Sequence, residues 1–172
     1  MKRRILDVSS SEDSEVTLDA FQKGLVELLP RLRRFARVLA GGAVDADDLV
    51  QAAVERGLER RDQWRLGARL DSWMFTIMRN AWIDDAGGRG RRGRLFTPPE
   101  AGEPVARAEG EVAAAMERLP EDQRLAVALV LAEGLPYREA AEVLEVPAGA
   151  LASRLVRGRQ ALLAHFEGGV AA

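Results

Sequence analysis

The stretch GLPYREAAEVLEVPAGALASRLVRGRQALL, residues 134–163, decides the fold of this chain. It predicts a helix, a three-residue turn at Glu145-Val146-Pro147 and a second helix, because a proline disfavours a helical conformation at the residue before it. The first helix has an apolar side made of Ala140, Ala141, Val143 and Leu144. The two alanines are small enough to let another helix cross closely. This layout is that of a helix-turn-helix, a motif that places its second helix in the major groove of DNA.

The second helix, predicted over residues 148–166, has the composition of a helix that approaches DNA. It carries three arginines and no acidic residue, so its formal charge is +3. Its apolar residues recur at the spacing of a face turned to a core: Leu151, Leu155, Leu162 and Phe166. Ser153, Arg154 and Arg157 fall largely on the other side. A plainer interpretation, an amphipathic hairpin with a solvated basic face, stays open at this point.

The overall composition narrows the class of protein. The chain has 172 residues, which is room for one medium domain or two small ones, and a formal net charge of −2. It has no cysteine and only one histidine, which excludes a disulfide framework, a thiolate nucleophile and a His-based metal cluster. Neither a membrane-spanning apolar stretch nor a signal-peptide pattern is found. We therefore expect a cytoplasmic protein without cofactors, and the lack of any catalytic sequence motif predicts that it is not an enzyme.

Charge is distributed unevenly along the chain. Residues 77–95 contain five arginines against two aspartates, whereas residues 44–62 contain six acidic residues against three arginines. Residues 100–122 contain seven acidic residues against two arginines. An acidic chain binds DNA weakly on its own. The separated charges indicate one face for nucleic acid and another for a basic protein partner.

Apolar periodicity divides the chain into two small all-α domains joined by a linker. Residues 1–17 are polar and predict a disordered N-terminal tail, and the first domain follows over residues 18–88. Residues 89–108 are rich in glycine, proline and charge and predict a flexible linker. The second domain covers residues 109–167 and contains the helix-turn-helix.

Local signals in the first domain predict where its helices begin and end. Pro30 is expected to kink or split the first helical segment, Asp45 to cap the second helix and Ser72 to cap the third. Gly87-Gly88 is expected to stop the third helix abruptly. Two aromatic residues on its apolar stripe are interpreted as core residues rather than platforms for base stacking: Trp73 and Trp82. For Trp64, in the loop before this helix, both interpretations stay open.

Three separated motifs, in the same order, resemble those of bacterial extracytoplasmic-function sigma factors. These proteins, group 4 of the sigma-70 family, are the smallest promoter-specificity subunits of RNA polymerase. ADDLVQAA at residues 46–53 resembles the family's acidic helix that binds core polymerase. LDSWMFTIMRNAWID at residues 70–84 resembles its promoter −10 helix, and residues 116–162 resemble its −35 domain. The resemblance covers residues 18–166 and implies sigma region 2 in the first domain and sigma region 4 in the second.

The resemblance also implies three binding surfaces. Core polymerase would contact the acidic helix through Asp47, Asp48, Leu49 and Gln51. The melted −10 element would contact the third helix and the loop before it through Arg65, Arg69, Arg79, Asn80 and Asp84. The −35 element would contact the helix-turn-helix through Arg138, Ser153, Arg154, Arg157 and Arg159. Which of these arginines contact bases and which contact phosphates stays open.

The function that the resemblance implies is that of an alternative sigma factor, which binds core RNA polymerase and directs promoter-specific transcription initiation. It implies an anti-sigma factor that holds the chain inactive, and a chain that is monomeric when free or equimolar with that partner. Two alternatives stay open. One is a sigma-like decoy that sequesters an anti-sigma factor, and the other is a stand-alone helix-turn-helix regulator.

The sequence departs from the family's pattern within the helix-turn-helix. Ala150 and Ala152 stand where the family often has threonine and a basic residue, which weakens the expected −35 contacts and keeps the decoy alternative open. Glu145 stands where a glycine would suit a left-handed turn residue. If Glu145 adopts that conformation, the strain costs about 1 kcal/mol.

Overall fold

The computed structural model describes residues 9–40, 43–89 and 104–169, and the side chains of residues 16–40, 45–85 and 110–167. Its α-helices are α1 (Ser9–Ala40), α2 (Ala43–Glu59), α3 (Leu70–Arg89), α4 (Pro104–Glu117), α5 (Glu121–Val127), α6 (Tyr137–Leu144) and α7 (Ala148–Gly169). A 3₁₀ turn at Arg61–Gln63 follows α2, and a π-helical turn at Ala128–Ala132 extends α5. The predicted all-α class is confirmed. Within the described ranges, no helix is long and apolar enough to cross a membrane.

The N-terminal domain consists of α1, α2 and α3 packed around an apolar core. The helix α1 buries residues at helical spacing against its neighbours: Phe21, Leu25, Leu28, Leu32, Phe35 and Leu39. The rings of Phe35 and Phe75 meet edge to face with their centroids 5.0 Å apart. Trp73 and Trp82 are partly buried and pack against this core, as predicted. Removal of this apolar surface from water is the main force that holds the three helices together.

The N-terminal part of this domain differs from the sequence prediction at three points. The helix α1 begins at Ser9, so residues 9–17 are helical rather than disordered; acidic residues, which are frequent in this stretch, favour a helix N-terminus. It also passes through Pro30 as one helix, because residues buried on both sides of Pro30 hold the two halves on one core. Asp45 lies in the first turn of α2 and is not its cap, since α2 begins at Ala43.

The limits of α3 also differ from the prediction. This helix begins at Leu70, so Ser72 lies inside the first turn and does not cap it. The backbone N–H of Ser72 instead donates to Asp71 Oδ1 at 2.9 Å. At the other end, α3 continues through Gly87-Gly88. Each glycine costs only about 1 kcal/mol in a helix interior, which is too little to stop a helix already held by its packed turns.

The C-terminal domain consists of α4 to α7. Pro120 separates α4 from α5, and Gly134 follows the π-helical turn with a φ of +69°. The helix α4 begins at Pro104, which makes residues 104–108 helical instead of part of the linker. The rest of the predicted linker that follows α3, residues 90–103, lies outside the described ranges.

The helix-turn-helix is confirmed. The turn between α6 and α7 is Glu145-Val146-Pro147, and the four predicted apolar residues of α6 are all buried. Leu151 and Leu155 of α7 are buried too, and Leu162 is partly buried. Phe166 is 39% exposed and does not belong to the core as predicted, because α7 is much longer than the helices against which it packs.

The two domains pack against each other and share one apolar core. Buried residues of α1 to α3 form a single cluster with residues of the second domain, among them Leu129, Leu135 and Ala140. The helix α3 packs along α6, while α1 contacts α5 and the π-helical turn. The sequence predicted two domains joined by a linker but not this contact between them, which determines how several candidate site residues are placed.

Candidate nucleic-acid interface

The outer face of α7 presents three of the polar residues assigned to duplex recognition. Ser153, Arg157 and Arg159 are exposed. The Nε of Arg157 donates to the backbone oxygen of Ser153, one turn earlier, at 3.3 Å. Arginines on an exposed helix face of a helix-turn-helix can contact phosphates or base edges in the major groove, so α7 has the residues and the exposure that a recognition helix needs.

The other two −35 candidates have carboxylate partners within the domain. Arg154 Nε lies 3.3 Å from Asp122 Oδ2, which ties α7 to α5, and the Arg154 side chain is only 28% exposed. Arg138 Nε donates to Glu142 Oε1 at 3.1 Å on the same helix, where both side chains are well exposed. Exposed pairs of this kind contribute less than about 1 kcal/mol. Arg138 can therefore exchange its partner for a phosphate, whereas Arg154 also positions α7.

The acidic edge of α2 is exposed as predicted, with one exception. Asp47, Asp48 and Gln51 point to solvent, and Gln51 Nε2 donates to Glu55 Oε1 at 3.0 Å. Leu49 is buried in the domain core and does not present its side chain at this edge. The surface that α2 offers to a basic partner is thus made of the polar residues alone.

The loop that leads into α3 is anchored by a tryptophan. Trp64 is buried, and its Nε1 donates to the backbone oxygen of Ala68 at 3.2 Å. Its ring meets that of Phe21 with the centroids 5.7 Å apart. Trp64 is therefore a core residue and not a platform for base stacking. The loop presents Arg65 as an exposed residue.

Two of the −10 candidates are paired with the second domain. Arg69 Nε lies 3.1 Å from Glu139 Oε2 of α6. Arg79 Nη1 lies 3.3 Å from Glu145 Oε2 in the turn of the helix-turn-helix, and the Arg79 side chain is only 16% exposed. In this arrangement both guanidinium groups bind carboxylates of the other domain, although the Arg69 side chain stays 44% exposed.

The remaining −10 candidates on α3 lie apart from these contacts. Asp84 Oδ2 accepts a hydrogen bond from Arg56 Nη1 of α2 at 2.8 Å. Asn80 is half-buried beside Arg79. The structure therefore does not bring the predicted −10 residues onto one open surface.

A buried glutamate, which the sequence analysis missed, is the centre of the contact between domains. The Glu133 side chain is 1% exposed, and its two carboxylate oxygens accept hydrogen bonds from Arg31 Nε at 3.0 Å and Arg34 Nε at 3.1 Å. Arg31 also donates from Nη2 to the backbone oxygen of Glu133 at 2.6 Å and from Nη1 to Asp71 Oδ2 at 3.0 Å. Because the partners are about a hundred positions apart in the chain, no local sequence signal relates them. We call the following residues the interdomain cluster: Arg31, Arg34, Arg69, Asp71, Arg79, Glu133, Glu139 and Glu145.

The charge state of the interdomain cluster is well defined at Asp71 and Arg69. Burial acts to raise the pKa of the Asp71 carboxyl, but hydrogen bonds from Arg69, from Arg31 and from the Ser72 N–H outweigh it and lower that pKa from 3.8 to about 2. The hydrogen bond to Asp71 in turn raises the pKa of Arg69. Both groups therefore stay charged throughout the physiological pH range, and this part of the cluster does not act as a pH switch.

A cleft of about 380 Å³ lies between α3 and α6, beside the Arg69–Glu139 pair. Trp73 and Val143 line it together with polar residues of both domains. Ser72 Oγ donates to Glu139 Oε2 at this cleft. Among the described residues, no group of three or more histidine or acidic side chains is placed to hold a metal ion.

Comparison with known proteins finds a match for each domain. The family model of sigma-70 region 4 matches residues 109–162, and the family model of the Sigma2 domain of PhyR matches residues 25–79. The chain is 35% identical over 156 residues to the ECF RNA polymerase sigma factor EcfG of Rhodopseudomonas palustris, a match that covers 85% of this chain and 84% of that relative.

Two solved structures resemble the whole fold. One is the sigma factor RpoE in complex with the anti-sigma factor NepR from Bartonella quintana, with a TM-score of 0.71, 28% identity, and coverage of 86% of this chain and 97% of that chain. The other is the anti-anti-sigma factor PhyR complexed with the anti-sigma factor NepR from the same organism. Its TM-score is 0.55, and the match covers 82% of this chain and 48% of that chain. At 19% identity, the second shows a likeness of fold alone. On the similarity to EcfG over most of both chains, this protein belongs to the extracytoplasmic-function sigma factors of RNA polymerase.

Proposed function

We propose that this protein is an alternative sigma factor, a dissociable subunit that binds core RNA polymerase and directs transcription from promoters with their own −10 and −35 elements. One observation carries the proposal: the second helix of the helix-turn-helix presents Ser153, Arg157 and Arg159 on the outside of a domain that matches sigma-70 region 4. The name of the relative EcfG, an RNA polymerase sigma factor, supports it.

The proposal gives each surface a role. The acidic edge of α2, with Asp47, Asp48 and Gln51, binds a basic surface of the polymerase, where complementary charge favours fast, oriented docking. The helix α7 contacts the −35 duplex, while α3 and the loop before it contact the melted −10 strand. A chain with a net charge of −2 binds DNA weakly by itself. Two weak DNA contacts held together on the polymerase gain affinity from their high effective concentration.

We also propose that an anti-sigma factor regulates the protein. The similar RpoE structure is a complex with the anti-sigma factor NepR, which supports this part of the proposal. The function as a whole calls for binding and positioning rather than for a catalytic group of the protein's own. A protein that acts on promoters with RNA polymerase is expected in the cytoplasm.

A second candidate function is the sigma-like decoy. It is favoured by the match of residues 25–79 to the Sigma2 domain of PhyR, a protein described in its solved complex as an anti-anti-sigma factor. A decoy would bind an anti-sigma factor without activating any promoter. Transcription in vitro separates the two functions directly.

The experiment is run-off transcription with bacterial core RNA polymerase on a pool of genomic promoter fragments. The purified protein is compared with the variant Asp47→Arg/Asp48→Arg, which reverses the charge of the α2 edge. The matched control Asp19→Arg/Asp62→Arg reverses two other exposed carboxylates. We expect discrete transcripts with the wild type and the control and their loss with the α2 variant. Absence of transcripts with folded wild-type protein would contradict the sigma function, and capture of an anti-sigma factor by that same protein would establish the decoy.

A further inference from the structure

We propose that the C-terminal domain of the free chain inhibits −10 recognition by its own N-terminal domain. In this closed state Glu139 and Glu145 bind Arg69 and Arg79, which single-stranded promoter DNA would otherwise contact. Glu133 joins the two domains through Arg31 and Arg34. The inference rests on the proposed function, because it assigns Arg69 and Arg79 to the −10 strand. It goes beyond that function because the chain closes without any anti-sigma factor.

In the contact between the domains, the positive charges come from one domain and the negative charges from the other. Each of these ion pairs joins an arginine of the N-terminal domain to a glutamate of the C-terminal domain: Arg31 and Arg34 to Glu133, Arg69 to Glu139, and Arg79 to Glu145. The guanidinium group recognises carboxylates and phosphates with the same planar donor geometry. The glutamates therefore bind where DNA phosphates can bind, and the two kinds of contact exclude each other.

Glu133 is held in place by an irregular backbone. Its N–H donates to the backbone oxygen of Ala128 at 2.9 Å, and the N–H of Leu135 donates to that of Leu129 at 2.9 Å, so the chain leaves the helix through a π-helical turn. Such turns occur frequently at functional sites. A carboxylate that is 1% exposed is stable only when it is paired, and both of its arginine partners belong to the other domain. Glu133 is thus suited to the closed arrangement.

Glu145 adopts a strained backbone conformation at the same contact. Its φ of 55° and ψ of 44° place it in the left-handed region, which glycine adopts without strain. From this position the Glu145 carboxylate reaches Arg79. This conformation belongs to the C-terminal cap of α6, where the Val146 N–H donates to the Ala141 backbone oxygen at 3.0 Å. The turn of the helix-turn-helix therefore places the carboxylate of Glu145 beside a −10 arginine.

The closed state affects the two DNA-binding surfaces differently. Arg69 and Arg79 are paired across the domains, whereas Ser153, Arg157 and Arg159 stay exposed on α7. The closed chain can therefore contact duplex DNA through α7 while two of its −10 arginines are bound to glutamates. Separation of the domains would break both ion pairs and free Arg69 and Arg79.

The test uses the full chain with the three interdomain glutamates replaced, Glu133→Gln/Glu139→Gln/Glu145→Gly. Its matched control, Glu27→Gln/Glu55→Gln/Glu59→Gln, removes the same amount of negative charge from exposed residues outside the interdomain cluster. The single variant Glu145→Gly is included because it removes one interdomain pair and relieves the left-handed strain, so it is expected to fold even if the triple variant does not.

Two measurements follow the closed state. The chain has no cysteine, so Lys23→Cys/Gln160→Cys, at two exposed positions on different domains, can carry donor and acceptor dyes that report domain separation. In unlabelled protein, affinity for a fluorescent pool of random-sequence single-stranded DNA is measured by anisotropy. We expect the triple variant to show longer dye separations and at least about fivefold tighter DNA binding, because apparent affinity scales with the population of the competent state. Glu145→Gly should change the dye separation and the DNA affinity in the same direction as the triple variant, but to a smaller extent. The control should match the wild type in dye separation.

Unchanged dye separation in the interdomain variants would overturn the inference, and so would DNA binding that tightens equally in the charge-matched control. Failure of the proposed function gives a different result, because neither measurement uses polymerase. It would appear as the absence of run-off transcripts with both the wild type and the triple variant, whatever their dye separations.

Discussion

Replacement of Gly158 by alanine is expected to weaken the packing of the helix-turn-helix. Gly158 lies in α7 where this helix crosses α5, and a Cβ there would come within 2.7 Å of Val127 Cγ2 and 3.4 Å of the Gln123 backbone oxygen. Alanine gains about 1 kcal/mol over glycine in a helix interior, whereas overpacking costs about 1–3 kcal/mol. Val127 is buried, and its β-branched side chain is stiff at χ1. The overpacking cost should therefore lie near the upper end of its range. After the gain from alanine is subtracted, the unfolding free energy should fall by about 1–2 kcal/mol.

The assay is urea-induced unfolding of the full chain, followed by circular dichroism, with Gly149→Ala as the control in the same helix. A Cβ at Gly149 meets nothing within 4 Å, so this variant should be unchanged or up to about 1 kcal/mol more stable. In the double variant Val127→Ala/Gly158→Ala the loss should be smaller than the sum of the single losses, because the clash disappears. If Gly158→Ala is as stable as the wild type, or the two losses simply add, the reasoning about the close crossing is refuted.

Three further predictions concern the interdomain cluster, the N-terminal core and the recognition helix. Because the pKa of Asp71 is lowered from 3.8 to about 2, its carboxylate should stabilise the folded chain above pH 3.8 and lose this effect as the pH falls toward 2. The difference in unfolding free energy between the wild type and Asp71→Asn should therefore narrow over that range, and a difference that widens in acid would contradict the cause assigned to the shift. Gly57→Ala should change the unfolding free energy by less than about 1 kcal/mol, because the added Cβ, 2.8 Å from Met74 Sδ, meets a flexible side chain that can move. A loss in urea unfolding as large as that of Gly158→Ala would show that Met74 cannot adjust. Arg157→Gln should weaken binding of the holoenzyme to −35 DNA. If Arg157 contacts a phosphate, the slope of the logarithm of the binding constant against the logarithm of the salt concentration should fall in magnitude by about 1. Unchanged affinity and slope would remove Arg157 from the interface.

Predictions from local sequence succeeded where the structural signal is local. The proline at position 147 and the small residues of α6 predicted the turn and the packing of the helix-turn-helix, and both are found. The left-handed conformation considered for Glu145 is also found. These features depend on the conformational limits of a few consecutive residues, so neighbouring helices do not alter them.

Predictions failed where a local signal competes with packing. Pro30 and Gly87-Gly88 are poor helix residues, yet α1 and α3 continue through them. The penalty at a single position is about 3 kcal/mol or more for proline and about 1 kcal/mol for glycine. In α1, buried side chains on both sides of Pro30 outweigh that penalty, and their number is known only once the neighbouring helices are in place.

Among the candidate site residues, too, predictions succeeded where the signal is local and failed where packing decides. Helical spacing was enough to predict that Ser153 and Arg157 face away from the core of their domain, as they do. It was not enough for Arg69 and Arg79, whose carboxylate partners come from the other domain. A residue's position on its own helix is a local property, but its exposure depends on what packs against that helix.

Local patterns in the chain were therefore sufficient for the all-α class, the helix-turn-helix, the basic face of its second helix and the family resemblance, because each depends on residues close together in the sequence. The contact between the domains required the folded chain. Arg31 and Glu133 are separated by 102 positions, and neither composition nor periodicity relates two charges so far apart. Apolar packing of α3 on α6 and of α1 on the π-helical turn brings them together, and that packing decides that two arginines assigned to promoter DNA bind glutamates in the free chain.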